Sequence, residues 1–473
     1  MTSHRDFKLA IRERMAKTGE RYTAARAVLL QAVQGADSAA PTHPHADLDP
    51  SAKNPSLPGV AFASAPPPGT FAGYTSFGGI CRDTGALRNV LAATGVRAAH
   101  NHAPLSEALV NGLCGGVGFL YAVFEYKGFP PMLSVLTRYD TMPDAFIAGG
   151  VARLGLTIRQ SETTSAAAAT RALDAALANA TPALCVVDAV ALSSDAAGPG
   201  EMLGMAPTVV AVAGIDGAEL LIDDGGVAPR RMSRESFARA RAAYKKGKQR
   251  LVTFERPESE VELADAVRAA AVATGRRFFE SPYKGFASNF GLAGLEKWRR
   301  LLTDEKDKKG WPALFHESHL AYLALRRTHD GIEHEFTAPA AGRPLYADFL
   351  AEAATIAGDA RLAAVAERMR RAGAVWRNLS TLIATCGDDA VERGCALGDS
   401  ARELFDEAGA PGARSAAAAG RIAQERESLA RSCRLSTARA RELFAAIAER
   451  VGEVLAIERP AAETLRALGD GRH

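Results

Sequence analysis

The sequence predicts an α+β domain followed by an all-α domain, and three observations carry that reading. Helical patterns come first and are followed by the chain's clearest hairpin, two apolar strands flanking Asp216-Gly217, the residue pair that tight hairpin turns prefer. That order is α+β rather than alternating βαβ. From about Glu258 only helical periodicity remains. Eight prolines between Pro41 and Pro68 set a short N-terminal helical module apart from the body.

Taken in order, residues 1–34 read as a basic helical hairpin, with Phe7, Ile11 and Met15 at helical spacing and Thr23 capping a second helix. Its surplus of Arg and Lys leaves a weak nucleic-acid role open beside the simpler expectation of a solvated hairpin docked on the body or a partner. Residues 35–72 form the Pro-rich linker, which contains His43 and His45. The α+β domain is expected over 73–256. TGALRNVLAATG forms a helix directly after Cys81, and a second helix begins at Ser106 as cap and ends at the glycines near Gly115. Residues 142–165 read as helix, glycine stop and strand; Ala166–Ala180 as helix; ALCVVDAVAL (183–192) as a buried strand. The hairpin follows, then a helix capped by Ser233 and a closing strand, QRLVTFERP. A helical domain is expected over 257–385 and further helices over 386–473, where Leu443, Ile447, Val451 and Leu455 make an amphipathic stripe.

Composition excludes several classes of function. The 473 residues are 47% hydrophobic and 23% charged, which is ordinary globular usage. Lys plus Arg number 57 against 54 Asp plus Glu, too even for a global field drawing nucleic acid or an anionic membrane. No apolar run approaches a bilayer-spanning length, and the N-terminus lacks the apolar core of a secretion signal. The six cysteines stand without CxxC pairs, so reduced, mostly buried thiols in a cytosol are expected, with no metal and no cofactor.

Cys81 is the residue that points to chemistry. A thiolate is stabilised at a helix N-terminus by unpaired N–H groups and the helix dipole, and papain-like enzymes also hold an oxyanion there. Gly115 and Gly116 lack the strand before and the Lys-Ser/Thr after that a phosphate loop needs. They suit close packing, or an acyl chain beside Cys81. Asp188, a charge inside an apolar strand, must be paired or line a cleft.

The motifs ICRDTGALRN (80–89), PLSEALVNG (104–112) and GLCGGVGFLY (112–121), followed by CVVDAVAL, VVAVAGID and LLIDDG, resemble the N-terminal domain of the butirosin biosynthesis protein H family. SNFGLAGLEKW (288–298) and RPLYADFLAEAA (343–354) resemble the uncharacterised domain that commonly follows it. The resemblance implies a papain-like fold and, in specialised metabolism, acyl transfer from the thioester of an acyl carrier protein to a small amine through a Cys81 acyl-enzyme. It makes Asp224 the orienting carboxylate, and Thr84, Gly115, Gly116 and Asp188 stand as the candidate substrate-binding residues. The general base is missing: the family's His falls on Thr208, and a threonine cannot take a thiol proton near neutral pH. Three alternatives stay open. His100 or His102 of the HNHAP loop could serve, with His102 the candidate; a second-domain base such as His316 or His319 could serve; or the domain has become a non-catalytic scaffold. A thiol peptidase or amidase on the same fold is a further alternative.

Overall fold

The computed structural model describes residues 66–140, 142–193, 207–407 and 412–469. The expected helical hairpin at 1–34, the prolines up to Pro58, and His43 and His45 lie outside the described residues. The chain divides into two units, of which the first is described at residues 123–133 and the second holds the described residues on either side.

Local sequence accounts for the first helices. Helix α1 (Arg82–Ala93) begins at Cys81, whose extended backbone (φ −115°, ψ 123°) makes it the N-cap. Ser106 caps α2 (Glu107–Cys114) by accepting the Leu109 N–H. Two strands, β1 (Leu120–Phe124) and β2 (Met132–Leu136), form a small sheet. Helix α3 (Pro143–Leu154) stops at Gly155, which takes the left-handed conformation (φ 62°).

The main sheet has six strands in the order β3-β8-β4-β5-β6-β7, every pair antiparallel. The elements run β3 (Ile158–Ser161), α4 (Ala166–Ala178), β4 (Ala183–Asp188), α5 (Ala189–Ser193), β5 (Pro207–Asp216), β6 (Glu219–Asp223), β7 (Arg230–Ser233), α6 (Arg234–Ala243) and β8 (Leu251–Phe254). Leu173, Leu177, Phe237 and Ala240 from α4 and α6 pack with Cys185, Val187, Val210, Val212 and Ile222 of the sheet. Helix α1 packs against β5. The predicted hairpin is present, but Asp216 pairs with Glu219, so the turn's central residues are Gly217 (φ 60°) and Ala218. The strand expected over 183–192 ends at Asp188. Its carboxylate accepts the Ala191 N–H at 3.0 Å and starts α5, a local cap overriding the apolar run.

Beyond Phe254 the described elements are helical: α7 (Ala264–Arg277), α8 (Gly291–Thr303), α9 (Trp311–Leu314), α10 (Ser318–Glu333), α11 (Arg343–Ala357), α12 (Ala360–Ala384), α13 (Asp389–Glu407), α14 (Gly412–Ser432) and α15 (Thr437–Ala467), joined by short 3₁₀ turns. Helices α12 and α15 pack along each other, and their core is aromatic. Trp298 stacks on Trp376 (6.2 Å) and Phe119 (5.6 Å), and Trp311 meets Phe444 edge-on at 5.0 Å. Arg343 and Glu458, both fully buried, form an ion pair (2.7 Å). Arg343 also donates to the carbonyls of Thr137 and Gly118, tying the α+β domain to α11 and α15.

Candidate functional site

The N-terminus of α1 is built on close backbone contacts. A Cβ on Gly85 would lie 2.9 Å from the Gly79 Cα, and one on Gly225 2.8 Å from the Arg82 carbonyl oxygen. Three glycines thus let the segment ahead of Cys81, the helix and the end of the hairpin meet. Asp223 locks this junction: its carboxylate accepts from Tyr74 Oη (2.7 Å), Ser76 Oγ (3.0 Å), Asn89 Nδ2 (2.8 Å) and the Gly225 N–H (2.8 Å).

Cys81 is 2% exposed, packed against Ala338 and Leu345 of the helical domain together with Ile80 and Ala108. Burial pushes its thiol pKa up, and the Asp83 and Glu107 carboxylates push the same way, outweighing the Arg138 guanidinium and the Thr84 hydroxyl. Glu107 accepts the Ile80 N–H (2.8 Å) through one oxygen, and the Cys81 N–H (2.7 Å) and Thr84 hydroxyl (3.1 Å) through the other. The backbone donor that a papain-like site would offer to an oxyanion is therefore engaged by a carboxylate. Beside it, Asp83 and Arg138 form a buried ion pair at 2.9 Å, with Arg138 lying over the Phe146 ring. Arg402 closes the outer side by donating to the Ile80 carbonyl at 2.5 Å.

The other sequence-predicted residues are placed as follows. Thr84 is buried one turn into α1, bonded to Glu107. Thr208 lies at the start of β5, its hydroxyl 3.5 Å from Asp83 Oδ1. Asp224 pairs with Arg230 at 3.0 Å. Asp188 is fully buried and caps α5. Gly115 and Gly116 have positive φ (127° and 59°), and Cβ atoms there would meet Arg277 and the Tyr346 ring at 2.4 and 2.3 Å, so both sit tightly against helical-domain side chains. His102 is at the surface, its Nδ1 2.7 Å from Glu260. His100 is exposed, and His316 and His319 lie beside Glu317 on the surface. No hydrogen bond joins Cys81 to any described imidazole. Two surface grooves, one lined by His316, His319 and Cys433 and one by Arg268, Arg276 and Arg277, do not have Cys81 in their walls.

Sequence reasoning passed over Glu107, Asp83, Arg138 and Asp223. Glu107 and Asp223 stood inside quoted motifs, next to Ser106 and Asp224. The signal for Asp83 was its place in the first turn of a helix, where a carboxylate opposes a helix-start thiolate.

A cysteine at the start of a helix laid on an antiparallel sheet, with a helical region after it, is the arrangement expected of a papain-like domain with an all-α extension. Residues 81–224 match the family described as butirosin biosynthesis protein H, N-terminal, and residues 235–410 match a domain of unknown function (DUF4872). A crystal structure described as a C39-like peptidase from Bacillus anthracis is similar at 12% identity and a TM-score of 0.26, covering 42% of this chain and 96% of that one. No curated protein matches the chain. None of the helices among the described residues is long and apolar enough to cross a membrane.

Proposed function

We propose that this chain is a papain-like binding or scaffold protein whose Cys81 is held as a protonated, covered thiol. The observation that carries this reading is the shell around Cys81: a carboxylate on its N–H and an ion pair at its side, with no imidazole partner among the described residues. A nucleophilic thiol needs a base to take its proton and free donors for the developing oxyanion. Thr208 supplies no base, and Glu107 occupies the donor.

The second reading is acyl transfer, favoured by the position of Cys81 at the N-terminus of α1. There the thiolate would attack the carbonyl of a carrier-protein thioester and expel the carrier thiol. An amine would then attack the acyl-enzyme, releasing an amide and Cys81, with the amine proton passing to a base recruited once the covering residues move. A thiol peptidase would use the same intermediate with water as acceptor.

The readings separate on intact mass. Wild-type protein incubated with acyl-carrier thioesters is expected to show no adduct. An adduct that disappears in Cys81→Ala would overturn the scaffold reading in favour of transfer, and hydrolysis of peptides without an amine acceptor would point to the peptidase.

A further inference from the structure

Away from Cys81, two imidazoles and a carboxylate converge where the end of α10 approaches α13. His334 is the C-cap of α10, His329 lies five residues earlier, and Asp399 belongs to α13. His334 Nε2 is 2.9 Å from Asp399 Oδ1, and His329 Nε2 is 3.9 Å from the same oxygen. One ligand atom from each residue lies within 4.8 Å of the other two.

The surroundings leave this group with little else to do. The His329 side chain is 4% exposed, yet Nδ1 has no hydrogen-bond partner and Nε2 is too far from Asp399 for a hydrogen bond. Buried polar groups are ordinarily hydrogen-bonded, so this ring is underemployed, and it is Nε2 that faces the Asp399 carboxylate, at 3.9 Å. The neighbouring carboxylates are all engaged: Asp330 by Arg326 and Arg426, Glu333 by Ser380 and the Ala340 N–H, Glu335 by Arg327. Asp399 has no Lys or Arg partner among the described residues. Its side chain is 48% exposed, so the group is closed on the histidine side and open to water on the other.

We propose that His329, His334 and Asp399 bind a divalent transition-metal ion, with zinc(II) the ion this donor set suits best. Two imidazoles and one carboxylate are a recurrent zinc set, with bonds of about 2.0–2.2 Å and water in the fourth position. Tetrahedral ligands at that length lie roughly 3.3 Å apart. The observed His–Asp separations of 2.9 and 3.9 Å straddle that spacing, and the ligand atoms all lie within 4.8 Å of one another, so binding asks for side-chain rotation rather than backbone movement. The ion would join two elements that cover Cys81. His334 leads into the segment containing Ala338, and Asp399 is one helical turn from Arg402. The site stands whether or not Cys81 turns over.

Full-length protein stripped with a chelator and titrated with zinc chloride tests this, read by calorimetry and by thermal unfolding. One ion per chain and a zinc-dependent rise in Tm are expected. Asp399→Asn and His334→Gln should each weaken binding by about tenfold or more. Two variants are used so that a folding failure in one leaves the other to decide, and cobalt(II) in place of zinc should give tetrahedral absorption bands. Absence of stoichiometric binding to the wild type, or a loss smaller than tenfold in the folded variants, overturns the proposal.

Discussion

At the scale of single residues, the ionisation of Cys81 decides what the α1 terminus can do. A helix N-terminus ordinarily lowers a thiol pKa, but here burial and the Asp83 and Glu107 carboxylates hold the thiol up against Arg138 and the Thr84 hydroxyl. Iodoacetamide labelling of Cys81, followed by peptide mass mapping, should therefore be slower at pH 7 than for an exposed cysteine, and should rise only above about pH 9. Glu107→Gln tests the cap. An amide offers one acceptor where the carboxylate offers two, so an N–H of Ile80 or Cys81 loses its partner. The expected loss is about 1–3 kcal/mol in urea unfolding. The position of Cys81 was legible in the sequence because a helix start and a thiol are both local signals. The role of Glu107 was not, because its bonds to residues 80, 81 and 84 form only when α2 folds across α1.

Among elements, α2 and α11 meet in a tight joint. A Cβ on Gly112 would fall 2.0 Å from the Phe349 ring, inside any permissible contact. Gly112→Ala should cost about 1–3 kcal/mol through overpacking, although alanine is the better helix former. A lowered urea midpoint with an unchanged slope would confirm this, and an unchanged midpoint would refute it. Helices with side-chain caps, such as those at Ser106 and Ser233, were readable in advance. Residues 183–192 were not, since a short apolar run suits strand and helix alike until Asp188 caps the turn.

For the whole molecule, burial of thiols and phenols sets the response to alkali. All six cysteines are free and buried, and each thiol pKa is raised by burial, Cys114 to about 12 and Cys433 to about 11. Tyr74, Tyr121 and Tyr346 are raised in the same way. The unfolded chain loses these protons from about pH 9 while the folded chain keeps them, so stability falls as pH rises from there. Each such group contributes a slope of about 1.4 kcal/mol per pH unit. Urea midpoints between pH 7.5 and 10.5 should decline steadily; a flat profile would count against the buried thiols. Glu458→Ala, which strands the fully buried Arg343, should cost about 3–5 kcal/mol. That pair joins residues 115 apart in sequence, a distance no periodicity reports.

The segment between α10 and α11 holds Phe336, Ala340 and Ala341 at φ of 53°, 56° and 60°, a left-handed backbone that side chains resist at about 1–2 kcal/mol each. Ala338, which packs on Cys81, lies within it. Lifting this stretch would relax those torsions, so its opening is cheaper than its burial suggests. In hydrogen–deuterium exchange, the amides of residues 337–342 other than Pro339 should open sooner than those of α10 and α11 on either side. Access to the thiol would then be a matter of timing, set by how often a sprung hinge releases.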